Sequence, residues 1–372
     1  MVAILIWAPL AGAQPASPPR ADHVPLEPDC SCAEASDQPP GSYEIKLTSE
    51  QERRAQAVWR RSISIVAHDH CFHADDFRQQ QAAGITVRTI KPTVDGVYWQ
   101  GKKRFTIESE VDGWEERGRR ALAILDREVA RHGNTIVVRS VADIRRAKQE
   151  NKQGVIYSFE GARPLAGKLD NVKMFYGLGL RDLQLYWAVP SPLKNRDGSL
   201  SDFGQAVLRE LNRVGIVADL SHMSDAAFSQ ALDITTKPIV VSHCGVAAAS
   251  GKPPRGSDDL SDEFIRRIAR NGGAICLHFY EGYIKPRHGQ RATLEDLLDH
   301  MDHIKKVAGI DSIALGVDYF PEMGWRWIEG AERMTGMPNV VREMVRRGYT
   351  DEEIEKVLGG NLMRVYQAVW GR

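Results

Sequence analysis

Four histidines and two carboxylates in this sequence follow apolar runs, and together these side chains could bind a metal ion. They are His68, His70, Glu160, His222, His243 and Asp318. Neutral imidazole is a good ligand for zinc, and a carboxylate can bridge two ions. The set therefore predicts a metal centre, provided that the fold brings these distant segments together.

The motifs within this set differ in strength. In an extended strand, His68 and His70 lie on the same face, so both imidazoles can reach one ion. Taken alone, such a short motif often occurs without a metal. Glu160 ends the apolar run 155–159, where burying a carboxylate is costly unless a metal ion or a core arginine lies beside it. Two further apolar runs end in serine followed by histidine, at His222 and His243, and this repetition favours the metal.

The elements that must position these residues alternate along the chain. Apolar runs typical of strands cover 62–66, 85–90, 155–159, 182–187, 216–220, 238–242, 274–279 and 312–317, with 135–138 as an extra. Segments with helical spacing of apolar residues lie between them, at 114–132, 202–214, 225–234, 262–271 and 294–307. This alternation predicts a parallel sheet.

The number and order of the runs favour a closed barrel over an open sheet. Eight main strands continue over about 250 residues, as in a (β/α)₈ barrel of the TIM type, and residues 325–372 add C-terminal helices. No glycine-rich phosphate-binding motif follows the first strand, which argues against a dinucleotide fold. In such a barrel the carboxyl ends of all strands open on one face, and the candidate ligands follow five of these ends.

Composition limits the partners of the protein. The 372 residues carry 49 Lys and Arg against 49 Asp and Glu, for a formal net charge of +0. No long-range field therefore favours nucleic acid or an anionic membrane, and a small neutral or zwitterionic substrate fits better. The composition leaves open whether the chain forms a homodimer.

The amino terminus indicates export. Residues 1–13 are apolar, end in Ala-Gly-Ala and are too short to span a bilayer, so they predict a signal peptide, although no basic residue precedes the apolar run. Residues 14–45 are rich in Pro, Ser, Ala and Asp and are expected to form a linker, followed by the hydrolase domain at 46–372. We therefore expect a secreted or periplasmic protein without a transmembrane span.

The chain has five cysteines, an odd number that argues against a disulfide framework. Cys30 and Cys32 lie in the predicted linker. Cys71, Cys244 and Cys276 lie in or beside apolar runs, where we expect buried thiols.

Several of these motifs together resemble a known family. The segment 200–222, which ends in Asp-Leu-Ser-His, the segment 238–243, the segments 272–280 and 300–310, Gly316-Val317-Asp318 and the segment 360–365 are similar in sequence and order to the membrane dipeptidase family, also called peptidase family M19. The resemblance covers roughly residue 60 to the end. It implies a (β/α)₈ barrel with two zinc ions that hydrolyses dipeptides and, in some members, related amides such as β-lactams.

The resemblance also implies roles for single residues. His68 and His70 would bind the first zinc, Glu160 would bridge both ions, and His222 and His243 would bind the second. Arg255 would bind the carboxylate of the substrate, unless it is a surface loop charge. Asp318 would exchange protons with the bridging water and the leaving amine, unless it caps a helix after the last strand.

Three positions depart from the family pattern. His70 stands where the family usually has aspartate, so the site loses one negative charge and should hold its metals less tightly. Trp187 stands where the fourth strand of the family ends in a histidine that touches the substrate, and an indole can donate a hydrogen bond but cannot carry a proton. His278, where the family more often has asparagine, is a candidate for the missing imidazole or supports the site from the core.

These observations predict a binuclear zinc hydrolase in which a bridging hydroxide attacks the carbonyl of a small amide. A dipeptide is the expected substrate, and Glu160 and Asp318 are the expected catalytic carboxylates. Two alternatives remain open. One is an amidohydrolase acting on a lactone, a cyclic amide or another non-peptide substrate, which His70 and Trp187 suggest. The other is a metal-binding barrel without catalysis, against which the presence of Asp318 argues.

Overall fold

A computed structural model describes residues 20–21, 43–92, 94–95, 97–100, 103–107, 111–187, 191–284, 291–319 and 326–371. The predicted signal peptide, most of the predicted linker, Cys30 and Cys32 lie outside these residues. Among the helices that are described, none combines the length and the apolar character needed to cross a membrane.

The described residues form twelve strands. In chain order they are β1 Ile65–Asp69, β2 Val87–Ile90, β3 Val97–Gln100, β4 Lys103–Thr106, β5 Thr135–Val137, β6 Gln153–Tyr157, β7 Asp182–Gln184, β8 Val217–Asp219, β9 Val240–Val246, β10 Asp259–Leu260, β11 Ala274–His278 and β12 Ile313–Val317. Nine of these strands form one parallel sheet in the order β5-β6-β2-β1-β12-β11-β9-β8-β7. Except at the edge strand β5, their residues are buried along the whole length, as is typical of parallel sheets covered on both faces.

The sheet is curled, so that its distant strands approach each other. Parallel bridges join Tyr157 to Leu180 and Glu160 to Gln184, which brings the chain after β6 beside β7. Backbone hydrogen bonds of 3.1 Å from Gln184 to Phe159 and from Gly161 to Gln184 hold this contact. The position of Glu160 therefore depends on the seam between these two strands.

Thirteen helices lie within the described residues. They are α1 Ser49–Arg61, α2 Ala74–Ala83, α3 Trp114–His132, α4 Val141–Gln149, α5 Asp170–Gly177, α6 Asp202–Val214, α7 Asp225–Ile234, α8 Ala247–Ser250, α9 Asp262–Asn271, α10 Leu294–Ala308, α11 Pro338–Arg346, α12 Asp351–Glu355 and α13 Asn361–Trp370. Side chains of Ser201, Ser224 and Ser261 accept hydrogen bonds from the first turns of α6, α7 and α9. These caps explain why the three helices begin where the apolar spacing predicts.

The last helix closes one end of the curled sheet. Leu362, Val365 and Tyr366 of α13 pack in one apolar cluster with residues at the amino ends of the strands, such as Ile65 and Val217. Since the amino ends are covered by apolar side chains, polar groups can collect at the carboxyl ends.

The structure changes three of the sequence expectations. The first strand begins at Ile65 rather than at residue 62, and β9 extends to Val246, so His68 and His243 lie within strands instead of after them. Three strands, β3, β4 and β10, and five helices, α1, α2, α4, α5 and α8, come in addition to the predicted elements. The prediction of a buried thiol is wrong for Cys71, which is disulfide-bonded. An odd number of cysteines leaves one over but does not prevent a bridge. Cys244 and Cys276 are buried free thiols, as expected.

Candidate metal centre

The six candidate ligands lie on five different strands or directly after them. His68 is in β1, His70 follows it, and His243 is in β9. Glu160 and His222 each lie three residues after a strand, and Asp318 follows β12. All are buried except His222, whose side chain is 22% exposed. Segments up to 250 residues apart in the chain, from His68 to Asp318, therefore meet at the carboxyl ends of the strands.

Their metal-binding atoms form two groups around Glu160. In the first, the Nε2 atoms of His68 and His70 are 3.1 Å apart, and Nε2 of His70 is 3.6 Å from Glu160 Oε2. In the second, the Nε2 atoms of His222 and His243 are 2.9 Å apart, and Nε2 of His222 is 3.7 Å from Glu160 Oε1. The carboxylate thus lies between the two histidine pairs, with Oε2 near His70 and with Oε1 near His222 and, at 3.9 Å, near His68.

These contacts fit a pair of metal ions. Two nitrogens bound to one tetrahedral zinc at ~2.0–2.1 Å are separated by roughly 3.3 Å, close to the spacing within each histidine pair. Oε2 of Glu160 is buried and has no hydrogen-bond partner among the described residues. A buried carboxylate oxygen without a donor is costly unless a cation lies beside it. The donor set of imidazoles and carboxylates is also the one that zinc prefers.

Asp318 lies between the two histidine pairs and His278. Its Oδ1 is 3.1 Å from Nε2 of His70, and its Oδ2 is 3.0 Å from Nε2 of His278. His68, Asp318 and His243 also have ligand atoms within 4.8 Å of one another. The carboxylate is therefore placed to act on a molecule held between the two groups or to join them as a ligand.

The backbone is strained at two of these sites. His222, Val317 and Asp318 have φ angles of 63°, 65° and 65°, in the left-handed region that non-glycine residues rarely adopt. For the β-branched Val317 this conformation is especially unfavourable. The surrounding structure must maintain this conformation at Asp318 and His222, and strain of this kind clusters at functional sites.

The histidines of the centre differ in the direction of their pKa shifts. Burial alone would lower the pKa of His70, but Glu160 and Asp318 outweigh it and raise the pKa to about 9. Burial would also lower the pKa of His222, but Asp258 and Glu160 outweigh it and raise this pKa to about 10. Burial and the neighbouring His222 lower the pKa of His243 to about 3. Metal ions must therefore displace protons from His70 and His222 when they bind.

The remaining candidates lie around this cluster. His278 contacts Asp318, and its Nδ1 accepts a hydrogen bond of 3.0 Å from the amide of Tyr280. Trp187 follows β7 by three residues and is half-buried. Arg255 is 62% exposed and already pairs with Asp259 at 3.1 Å and with Asp258 at 3.5 Å.

The sequence analysis did not identify the residues that form hydrogen bonds with the candidate ligands. Nδ1 of His222 is 3.0 Å from Oδ1 of Asp258, and Nδ1 of His68 is 2.9 Å from the hydroxyl of Ser242. Nε2 of Gln184 lies 3.5 Å from Oε1 of Glu160. Ser242 could have been identified from the sequence, because it precedes a candidate ligand. The sequence does not mark Asp258 or Gln184, since single polar residues are common in loops and strands.

Comparisons with known proteins show what this chain is similar to. The sequence model of the family described as membrane dipeptidase (peptidase family M19) matches residues 94–370. The chain is 28% identical over 253 residues to the uncharacterized dipeptidase C965.12 of Schizosaccharomyces pombe, a match that covers 64% of this chain and 59% of that protein. It is 30% identical over 236 residues to dipeptidase tcpJ of Claviceps purpurea, covering 61% of this chain and 53% of that protein.

The chain thus matches less than two thirds of the length of these curated relatives. Among solved structures, a metallo peptidase from Rhodobacter sphaeroides, liganded with a phosphinate mimic of the dipeptide L-Ala-D-Ala, has a TM-score of 0.68. It is 21% identical, and the match covers 83% of this chain and 100% of that chain. The similarity to this structure is one of fold.

Proposed function

The chain belongs to the membrane dipeptidase family, peptidase family M19, and we propose on this basis that it is a zinc-dependent hydrolase of dipeptides. One observation supports the proposal above all others. The carboxylate of Glu160 lies between two histidine pairs and has a contact of 3.6–3.9 Å with His68, His70 and His222, and each pair has a nitrogen spacing suited to one zinc ion. His68 and His70 would hold one ion, His222 and His243 the other, and Glu160 would bridge them.

We further propose that the curled sheet is a (β/α)₈ barrel. The bridges from Tyr157 to Leu180 and from Glu160 to Gln184 support closure between the strands β6 and β7. A closed barrel explains why ligands from five strand ends converge on one face.

The metal ions would supply an acidified water as nucleophile and a Lewis acid for the scissile carbonyl. The chain supplies the proton transfer and the binding of the substrate. Although burial opposes it, His68 and His278 hold the pKa of Asp318 well below its usual range, so this carboxylate is ionised. It would take the proton of the nucleophilic water and return it to the leaving amine. His278, at 3.0 Å, would orient it.

A dipeptide is the substrate that the relatives favour. Two of them are named dipeptidases, and the Rhodobacter sphaeroides structure holds a dipeptide mimic. In this chain Arg255 would bind the free carboxylate through charge-assisted hydrogen bonds, at the rim of the centre near His222. Asp258 links the two residues, since it contacts both Arg255 and His222.

A second candidate is the hydrolysis of a non-peptide amide or lactone. Trp187 stands where the family has a histidine that contacts the substrate, and Arg255 is largely exposed and already paired with two carboxylates. Both features suit an uncharged substrate better than a zwitterion.

We also propose that the protein is exported. The apolar residues 1–13 support a signal peptide. The disulfide at Cys71 supports an oxidising compartment, since disulfides are rare where thiols are kept reduced.

Metal analysis combined with a substrate screen tests the proposed function. The protein purified without chelators is expected to contain about two zinc ions per chain and to hydrolyse some L,L or L,D dipeptides. Removing the metal should abolish this activity, and adding zinc should restore it. Absence of bound metal would refute the hydrolase, a full metal load without turnover of any amide or lactone would favour a binding protein, and turnover of lactones or cyclic amides alone would favour the second candidate.

A further inference from the structure

The hydroxyl of Ser242 contacts one histidine from each pair. Its Oγ is 2.9 Å from Nδ1 of His68 and 3.1 Å from Nδ1 of His243. Ser242 is completely buried, and the two imidazole rings stand nearly perpendicular with centroids 4.3 Å apart. Because a hydroxyl has one proton and two lone pairs, its hydrogen bonds decide which nitrogen of each ring carries a proton.

The direction of these hydrogen bonds is fixed from Asp219, deeper in the sheet. Oδ2 of Asp219 faces the ammonium group of Lys91 at 2.5 Å. Its Oδ1 accepts from the amides of Ser221 at 3.0 Å and Ser242 at 3.1 Å. Both oxygens thus face groups that can only donate, so Asp219 is an ionised acceptor. The hydroxyl of Ser221, 2.8 Å from Oδ1, must therefore donate to it.

The donors and acceptors around Ser242 can be assigned in the same way. Once the proton of Ser221 points to Asp219, its lone pairs accept from the amide of Ser242 at 2.9 Å and from the hydroxyl of Ser242 at 3.2 Å. The only proton of the Ser242 hydroxyl is thereby used. Its two lone pairs must accept from Nδ1–H of His68 and Nδ1–H of His243. Both rings are then neutral, with the lone pair of Nε2 directed at the centre.

We propose that Ser242 is a positioning residue shared by both metal sites, which fixes the tautomer and the orientation of one histidine in each. The proposal rests on the proposed function only in that two metal ions bind at this centre. Its consequence is that a change at Ser242 weakens both sites together. His222 offers the matched contrast, because its Nδ1 is held separately by Asp258.

Zinc titration of the metal-free protein against a chromophoric chelator tests the coupling. Loss of a group that orients a ligand typically costs 10- to 100-fold in metal affinity. Ser242→Ala is expected to weaken both binding steps by about this factor, whereas Asp258→Asn should weaken one step and leave the other unchanged. Wild-type affinity in both steps of Ser242→Ala, or a loss confined to one step, would overturn the proposal. So would a wild-type protein that binds a single ion.

Nitrogen NMR of the zinc-loaded protein, with ¹⁵N-labelled histidine, tests the tautomers directly. His68 and His243, assigned by replacing each in turn, should both carry the proton on Nδ1, and a proton on Nε2 of either would refute the scheme. Ser242→Thr keeps the hydroxyl and should keep both affinities. If Ser242→Ala does not fold, Ser221→Ala replaces it, since it frees the Ser242 proton to turn toward a histidine. Unchanged affinities in this variant would again overturn the proposal. These readouts do not involve turnover, so they fail or succeed independently of dipeptide hydrolysis.

Discussion

Two clusters of buried charged groups lie in the curled sheet, and they differ in how their charges are satisfied. In the first, Lys91 donates to Asp182 at 2.6 Å and to Asp219 at 2.5 Å, and the hydroxyl of Ser158 also donates to Asp182. We call these three charged residues the lysine triad. The second is the candidate metal centre. There, imidazole nitrogens face one another at 2.9–3.1 Å, and Oε2 of Glu160 has no donor among the described residues.

The contrast shows how a structural charge cluster differs from a set of candidate metal ligands. The lysine triad pairs acceptors with a cation that the chain itself provides, so it needs nothing from solution. In the candidate metal centre, by contrast, protons on His70 and His222 offset the charge of the carboxylates, and metal ions would have to replace these protons. Burial alone does not separate the two clusters, since both are almost fully buried.

The largest effect should follow from replacing Glu160, the proposed bridging carboxylate. Glu160→Gln removes the charge that both ions would share, so we expect metal content to fall from about two ions to below one and activity to be lost. The metal-free variant should be about as stable as the metal-free wild type, because removing a buried carboxylate oxygen that lacks a donor offsets the lost attraction to the protonated His70 and His222. Metal analysis and thermal unfolding of the metal-free proteins measure the two effects. A strong loss of stability would show that Glu160 is a structural residue like those of the lysine triad.

Asp318→Asn should affect turnover more than metal binding. Positioned proton transfer typically contributes 10²–10⁴-fold, and we expect kcat to fall by roughly 10²-fold or more. The geometry around His70 and His278 should persist, because asparagine has nearly the same shape. Steady-state kinetics and metal content of the same preparation check this. If the variant instead loses metal in proportion to activity, Asp318 is a ligand rather than the group that moves the proton.

Replacing the lysine of the lysine triad should lower the stability of the protein, unlike the replacements of Glu160 and Asp318. Lys91→Met leaves Asp182 and Asp219 buried without their cation, and breaking a buried pair commonly costs about 3–5 kcal/mol of the free energy of unfolding. Denaturant unfolding measures the loss. Lys152→Met is the matched control, since Lys152 pairs with Glu150 at 2.7 Å while both side chains are more than a third exposed. Exposed pairs contribute about 0–1 kcal/mol, so this variant should unfold almost like the wild type. Equal losses in the two variants would contradict the comparison.

The two clusters also differ in how far the sequence could predict them. The nine strands of the parallel sheet and five helices could be predicted because apolar periodicity marks elements. The six candidate ligands could be proposed because ligands recur at the ends of strands. The lysine triad could not. Lys91 follows a short apolar run and has the pattern of an ordinary surface charge at the end of a strand. Only the curl of the sheet brings it to Asp182 and Asp219, 91 and 128 residues away.

The hydrogen-bond partners of the candidate ligands could not be predicted from the sequence for the same reason. Ser242 beside His243 was visible in the sequence, but its contact with His68 spans 174 residues. The disulfide at Cys71 was missed because counting cysteines says how many can pair and not which ones do. Local patterns thus predicted most elements of the sheet and the candidate ligands, whereas the partners of these side chains depend on tertiary contacts.

The smallest expected effect concerns the edge of the metal centre, where Arg255 would recognise the substrate. Arg255→Ala should lower kcat/KM for a free dipeptide by about 10- to 100-fold, since a hydrogen bond to a charged group contributes about 1.5–3 kcal/mol. We expect no larger effect because the side chain is 62% exposed and already pairs with Asp258 and Asp259. Arg266→Ala, which removes the exposed partner of Asp262, is the control and should leave the kinetics unchanged.

Amidation of the substrate sharpens this last test. If Arg255 binds the free carboxylate, then Arg255→Ala and a blocked carboxylate remove the same interaction, and their effects on kcat/KM should not add. Additive losses would mean that the carboxylate is bound by another group. If the wild type hydrolyses blocked and free substrates equally well and Arg255→Ala changes neither rate, recognition does not use the carboxylate at all. The half-buried Trp187 would then mark a pocket shaped for an uncharged substrate, and the non-peptide amide or lactone would become the leading candidate.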